Sequence, residues 1–126
     1  MNVNRSFKDY KDLDVWRKAF KFGLNVIKLS KALPKNPVNQ TLVYQILRSS
    51  TSIAGNIAEG SGGSTKRDFI NYLNNSRKSA LETQNWLEFI FKTNKVTKKT
   101  EKLLSDQCIE IIKILTTIIK KAKNSY

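Results

Sequence analysis

Residues 49–64 read SSTSIAGNIAEGSGGS, a run of small and polar residues that holds two isoleucines, one glutamate and a terminal cluster of glycines. Ser50, Ala54 and Ala58 recur every four residues, so on a helix they share one face and form a smooth ridge on which a second helix packs closely. Glycines at 60, 62 and 63 are typical of a helix end. The stretch therefore predicts the second half of a closely packed helix and its stop.

The glycine cluster invites comparison with a phosphate-binding P-loop. That motif needs a glycine, four further residues and then Gly-Lys-Ser/Thr after a strand. Here Thr65 precedes Lys66, and a helix rather than a strand comes before the glycines. The spacing disfavours a P-loop and leaves two interpretations: a plain turn, or an anion site made by Lys66, Arg67 and free amides at the next helix start.

Hydrophobic spacing along the chain is helical, with no alternating strand pattern. In the first segment apolar or small residues recur every three or four positions, which predicts a helix with one apolar face. That face contains Leu13, Trp16, Phe20, Gly23, Ile27 and Ser30. Further apolar residues lie off this face, namely Phe22, Leu24, Val26 and Leu29. A helix that is apolar on more than one face needs more than one neighbour, which favours contacts between subunits.

Start and stop signals divide residues 1–126 into four helices of one domain. Asn36-Pro37 reads as an N-cap followed by the first helical position, and Ser64 or Thr65 and then Thr97 are candidate caps for the next two helices. The predicted helices span about 12–33, 38–60, 65–93 and 97–123. Because the connections are short, we expect an all-α, antiparallel up-down-up-down four-helix bundle.

The composition limits the chemistry that the chain can perform. The sequence has no histidine, and Cys108 is its single cysteine. Without histidine the commonest general base and metal ligand are missing, and one cysteine cannot form an internal disulfide or a metal cluster. We expect no catalytic residues, no metal and no cofactor, and we expect Cys108 to be a buried, inert thiol.

The chain also carries no run of about 18 apolar residues that would span a membrane. Its start, MNVNRSFKDYKD, is charged and is not followed by the apolar core of a signal peptide. We therefore expect a cytoplasmic protein without membrane contact.

Twenty-three Lys and Arg against ten Asp and Glu give a net charge of +13, which favours polyanionic partners, nucleic acid first. In an antiparallel bundle one end collects Lys28, Lys31, Lys35, Lys92, Lys95, Lys98, Lys99 and Lys102 against Glu88 and Glu101. We predict nucleic-acid binding without strong sequence specificity. The predicted binding residues are Lys31, Lys35, Lys92, Lys95, Lys98 and Lys99, with Lys66 and Arg67 from the opposite end. The alternative is a charged surface that serves solubility alone.

A polar stripe follows the second helix beside its isoleucines, formed by Ser49, Ser52, Asn56 and Glu59. Glu82 of the third helix could face the same interior. Dicarboxylate metal sites in helix bundles also use histidine, which this chain lacks. We predict instead that Ser52, Asn56, Glu59 and Glu82 form a buried polar network that fixes helix register.

Three segments together resemble a known family: Leu13-x-Val15-Trp16-x-x-Ala19, QILRSSTSIAGNIAEG over residues 45–60, and Ser79-x-x-Glu82. They are similar to the four-helix bundle proteins encoded in intervening sequences of bacterial 23S rRNA genes. The resemblance covers roughly residues 7–90 and implies a homo-oligomer, typically a pentameric ring with a central opening, and no established enzymatic activity. One departure is Lys78, at a position where the family often has glycine.

A related branch comprises the accessory variability determinant proteins of diversity-generating retroelements. These share the bundle and the ring, are basic, and bind a reverse transcriptase together with nucleic acid, although the stretch from Ser49 to Gly60 looks more like the intervening-sequence branch. Three hypotheses follow: an oligomeric nucleic-acid-binding protein, an interaction scaffold such as a reverse-transcriptase accessory subunit, and a purely structural oligomer.

Overall fold

The computed structural model describes residues 10–63 and 65–125, which form four α-helices after a short 3-10 turn at Tyr10–Asp12. The helices are α1 (Asp14–Ala32), α2 (Pro37–Ser61), α3 (Lys66–Thr93) and α4 (Lys98–Lys123). Their bounds lie within two residues of the predicted ones, and no strand occurs in the described ranges. The predicted all-α class with four helices is confirmed. None of these helices combines the length and the apolar character needed to cross a membrane.

Side-chain caps set the starts of three helices. Asn36, Thr65 and Thr97 each accept a hydrogen bond from the backbone N–H three residues further along, at 2.8, 3.0 and 3.1 Å. Pro37 occupies the first turn of α2, where a missing N–H costs nothing. Each cap satisfies an amide that the helix itself leaves unpaired and stabilises the helix by about 1 kcal/mol. All three caps agree with the sequence signals.

The helices pack in a cycle, in which each helix contacts the next in the chain and α4 also contacts α1. Nineteen hydrophobic side chains form one shared core at the centre of this cycle. The largest fully buried members are Phe22, Ile46, Ile53, Ile57, Leu73, Leu87, Ile90, Leu104, Ile111 and Leu115. Burial of each such side chain contributes roughly 1.5–3 kcal/mol, so this core is the main source of stability.

The first helix buries a different stripe from the predicted one. Its buried apolar side chains are Val15, Ala19, Phe22, Val26 and Leu29. On the predicted stripe, Trp16 and Ile27 are only half-buried and Phe20 is 47% exposed. Both stripes have helical spacing. Gly23 of the predicted stripe is also buried, and Phe20, Gly23 and Ile27 lie against α2 beside Ser50, Thr51 and Ala54. The sequence pattern could not distinguish the two stripes because it does not state where the neighbouring helices lie.

Buried hydrogen bonds join α2 to α3 within the core. The hydroxyl of Thr83 donates to the hydroxyl of Ser49 at 2.8 Å, and the hydroxyl of Ser76 donates to the carbonyl of Ile53 at 2.8 Å. A buried hydroxyl without a partner costs about 1–3 kcal/mol, so a change in helix register that broke these bonds is unfavourable.

Cys108 lies fully buried in α4, with its sulfur 3.3 Å from the carbonyl oxygen of Ala80. Burial raises the pKa of the Cys108 thiol to about 12. The predicted buried cysteine is confirmed. A thiol with so high a pKa holds a negligible thiolate fraction at neutral pH, which agrees with the prediction that it is inert. The described ranges contain no cluster of three or more Cys, Asp and Glu side chains that could hold a metal ion.

Candidate nucleic-acid interface

Two connections meet at one end of the molecule: residues 33–36, between α1 and α2, and residues 94–97, between α3 and α4. Asn39, only 4% exposed, donates to the carbonyl of Pro34 at 2.7 Å. The side-chain amides of Asn39 and Asn94 also exchange hydrogen bonds, each 3.0 Å long. We call this pair the asparagine clasp. It holds the last turns of α1 and α3 next to the first turns of α2 and α4.

Eight exposed lysines flank the two clasped connections, and we call this surface the lysine end. It comprises Lys28, Lys31, Lys35, Lys92, Lys95, Lys98, Lys99 and Lys102. Lys102 pairs with Asp106 at 2.9 Å, and this hydrogen bond and the accompanying charge attraction raise the pKa of Lys102. The other seven make no ion pair with the described residues. Seven unpaired cations thus share one surface.

A cavity of about 300 Å³ opens at the lysine end between the end of α1 and the start of α4. Its apolar lining includes Leu29, Leu33, Ala32, Val96, Leu103 and Leu104. Its polar lining comprises Asn25, Lys28, Lys95, Thr97 and Thr100. Leu29, Leu33 and Leu104 belong to the buried core, whereas Leu103 is 50% exposed. The cavity therefore combines an apolar floor with two unpaired lysines.

Two predicted binding residues, Lys66 and Arg67, lie apart from the lysine end. Both are exposed in the first turn of α3, where Lys66 donates a hydrogen bond to the backbone carbonyl of Ser125. At about 1.5 Å per residue, the length of α3 separates them by roughly 40 Å from Lys92 at its other end. The structure brings six of the eight predicted binding residues together and leaves these two elsewhere.

The predicted buried network of Ser52, Asn56, Glu59 and Glu82 is wrong, because each residue acts locally. Ser52 donates to the carbonyl of Arg48 at 2.7 Å, and Asn56 donates to the carbonyl of Ser52 at 2.9 Å, both within α2. Glu59 is exposed, and its carboxylate makes no hydrogen bond or ion pair with the described residues.

Glu82, also exposed, accepts a hydrogen bond from the indole N–H of Trp86 at 3.1 Å. The physical reason is desolvation: this stripe lies beside the buried stripe of α2, and a carboxylate is costly to bury unless a cation pairs with it. The hydrogen bonds that do join α2 to α3 use Ser49 and Ser76.

Comparison with known proteins adds to this picture. The model of the 23S rRNA-intervening sequence proteins matches residues 11–117 of the chain. The chain belongs to this family. The resemblance over the first three helices is therefore confirmed, and the match extends over most of α4, beyond residues 7–90 on which the resemblance rested.

Six chains of known structure are similar to this 23S rRNA-intervening sequence protein. One is a protein of unknown function from the S23 ribosomal protein family of Bacteroides thetaiotaomicron, with 36% identity and a TM-score of 0.74. The similarity covers 84% of this chain and 95% of that one. Among curated proteins no match is found.

Sequence reasoning missed the asparagine clasp and the cavity in this 23S rRNA-intervening sequence protein. Asn39 and Asn94 are 55 residues apart, and each on its own looks like an ordinary polar residue near a helix end. The one usable signal was the position of Asn39 three residues before the apolar Leu42, which places both side chains on one face of the helix. A polar residue on that face requires a partner.

Proposed function

We propose that this 23S rRNA-intervening sequence protein binds nucleic acid through the lysine end, without catalysing a reaction and without strong sequence specificity. The observation that supports it is the group of seven exposed lysines that have no ion-pair partner among the described residues. Lys31 and Lys92 lie at helix C-termini, where a cation also compensates the helix dipole. Lys98 and Lys99 begin α4, where a cation opposes the dipole, so these two need another reason to be there.

An antiparallel up-down-up-down arrangement makes the lysine end one continuous surface. Between α1 and α4, Lys18 pairs with Glu110 at 3.3 Å and Asn25 hydrogen-bonds Gln107 at 3.1 Å, so residue numbers fall in one helix as they rise in the other. Between α2 and α3, Asn39 pairs with Asn94 and Ser49 with Thr83, so residue numbers again rise on one side as they fall on the other. The short connections from α1 to α2 and from α3 to α4 support an antiparallel arrangement of these two helix pairs as well.

The protein acts as a homo-oligomer in this proposal, as the ring of five that the resemblance implies. An apolar surface on α1 beside α2 supports subunit contact, since Phe20 is 47% exposed and Leu24 is 50% exposed. The ring of Phe20 stacks on that of Trp16 with centroids 4.9 Å apart, which holds it in place. A closed ring repeats the lysine end around its axis and converts weak phosphate contacts into avidity.

The expected signature of phosphate binding is a dependence on salt. If the seven unpaired lysines of one protomer each neutralise one phosphate, the logarithm of the affinity falls with the logarithm of salt concentration, with a slope of about −5 for single strands or −6 for duplex. Anisotropy of a labelled 20-residue RNA and a 20-base-pair DNA across a salt series measures this slope. Undetectable binding of both probes at 50 mM salt contradicts the proposal.

The oligomer has its own test, light scattering of the purified protein at micromolar concentration. The wild-type protein is expected to show several protomers per particle, and the double variant Phe20→Glu/Leu24→Glu is expected to be monomeric because two charges cannot be buried at a contact. Leu81→Glu is the matched control, since Leu81 is another large exposed apolar residue and lies on α3. A monomeric wild-type protein contradicts the oligomer.

A further inference from the structure

The cavity at the lysine end has the chemistry of a site for one unpaired nucleotide. We infer that it takes the base of an unpaired nucleotide against its leucine floor, while Lys28 and Lys95 contact the adjoining phosphates. The protein then prefers single-stranded or looped nucleic acid to a regular duplex. This inference rests on the proposed nucleic-acid binding and names the class of substrate.

The apolar part of the cavity is what a nucleotide base would use. Leu103 is 50% exposed, beside two unpaired lysines, where an apolar side chain gains nothing from a phosphate backbone. The faces of a base are flat and apolar, and packing one against aliphatic side chains removes apolar surface from water. At about 300 Å³ the cavity is at the small end of ligand sites, so it suits one nucleotide rather than a longer segment.

The polar groups in the cavity wall offer hydrogen bonds to a base edge. Asn25 donates its amide to Gln107 at 3.1 Å, which leaves the side-chain oxygen of Asn25 as an acceptor. The hydroxyl of Thr97 donates to that of Thr100 at 3.0 Å, which leaves the hydrogen of the Thr100 hydroxyl to donate. One donor and one acceptor beside an apolar floor match an unpaired base, whose edge carries both types of group.

A base inside a regular duplex cannot enter this cavity. Its faces are covered by the stacked neighbours and its edge by its partner, so entry requires unpairing and unstacking, which costs a few kcal/mol. An unpaired base meets no such cost. The lysines alone would bind both forms through phosphate, and the cavity adds a preference for the single strand.

The experiment compares three labelled probes at one salt concentration: a 12-residue single-stranded RNA, the same strand with abasic positions throughout, and a 12-base-pair RNA duplex. The intact single strand is expected to bind at least about tenfold more tightly than either of the others, because only its unpaired bases can bury apolar surface in the cavity. Equal binding of all three probes overturns the inference and leaves the lysine-end function standing. Failure of all three to bind contradicts the proposed function itself, so the two failures are distinguishable.

Variants locate the preference in the cavity. Ala32→Trp fills it from an exposed position at the end of α1 and is expected to abolish the preference for the single strand without changing duplex binding. Asn71→Trp, at an exposed position in the first half of α3, is the matched control and is expected to keep the preference. Leu103→Gln removes the exposed apolar wall and gives a second variant should Ala32→Trp fail to fold. Retention of the preference in a folded cavity variant overturns the inference.

Discussion

The two ends of this protein both carry many cations, but they use them differently. Away from the lysine end, Arg17 lies 3.9 Å from Asp14 and donates to the carbonyl of Lys11 at 2.7 Å, and Lys18 pairs with Glu110. At the lysine end, Lys102 is the one residue of its set with an ion pair to the described residues. Lys66, Arg67, Lys120, Lys121 and Lys123 at the opposite end also make no ion pair with the described residues, so pairing reduces the number of unpaired cations there without removing them. Net charge by itself therefore does not locate a binding surface.

The two ends are also held together differently. At the lysine end the asparagine clasp joins two connections through three hydrogen bonds. At the opposite end α2 approaches α3 closely through glycine, since a Cβ on Gly60 would lie 3.0 Å from the Cβ of Tyr72. One end therefore depends on polar pairing and the other on the absence of a side chain.

Charge reversal separates the two ends most strongly. The lysine-end variant carries Lys31→Glu, Lys35→Glu, Lys95→Glu and Lys99→Glu. The matched variant carries Lys66→Glu, Arg67→Glu, Lys120→Glu and Lys121→Glu, with the same change in net charge. The lysine-end variant loses four phosphate contacts, so its affinity for nucleic acid is expected to fall about 1,000-fold at 0.15 M salt. The affinity of the matched variant is expected to fall less than about tenfold. Anisotropy measures both, and equal losses contradict the distinction between the ends.

Removing the clasp tests how the lysine end is held. Asn39→Ala leaves the carbonyl of Pro34 and the amide of Asn94 without their partner, and it is expected to lower the free energy of unfolding by about 2–3 kcal/mol. Urea denaturation measures the change. The control is Gln40→Ala, an exposed neighbour on α2 whose loss stays within about 0.5 kcal/mol. A loss no larger than the control would show that the clasp does not stabilise this end.

Two glycines of α2 test the close packing at the other end. Gly60→Ala forces the backbone of α2 away from Tyr72 and is expected to destabilise the protein by about 1–2 kcal/mol. Gly55 is the control, because a Cβ there meets nothing within 4 Å. Gly55→Ala is expected to stabilise the protein by up to about 1 kcal/mol through helix propensity. Thermal denaturation compares them, and a shift of the same sign in both variants contradicts the packing argument.

The smallest expected effect lies within the lysine end itself. Lys102 is already paired with Asp106, whereas Lys99 has no ion-pair partner among the described residues. Lys99→Gln is expected to reduce the salt slope by about one, and Lys102→Gln by clearly less, because its charge is partly compensated before binding. The salt slopes of the two variants are measured over the same salt series. Identical slopes would show that the ion pair between Lys102 and Asp106 does not affect phosphate binding.

The helices were predictable because their signals are local. Asn36, Thr65 and Thr97 act on amides three residues away, so the sequence alone identifies the caps and nearly fixes the helix bounds. The close packing predicted from residues 49–64 was equally local, and Ser50, Ile53 and Ile57 of that stretch are all buried. Helix caps and helix bounds depend on residues close in sequence, so they can be predicted without knowing how the helices pack.

The features that depend on where helices lie relative to one another were not predictable. The helical spacing of α1 fitted two stripes, and the positions of the neighbouring helices α2 and α4 decide that the one containing Phe22 is buried. Glu59 was expected inside because it adjoins a buried stripe, yet a carboxylate one step around the helix reaches water. The cavity needs the end of α1 and the start of α4 together, residues about 70 positions apart, and no local pattern records that meeting.

The measurement that tests the central claim most directly is lysine acetylation read by mass spectrometry, with and without saturating single-stranded RNA. Every lysine of the chain is then probed at once, and the two ends serve as each other's control. Bound RNA is expected to slow acetylation several-fold at Lys31, Lys35, Lys95, Lys98 and Lys99. Lys66, Lys120 and Lys121 are expected to react at the same rate in both samples. Protection that is uniform over the chain, or stronger at the latter three lysines, would contradict the account.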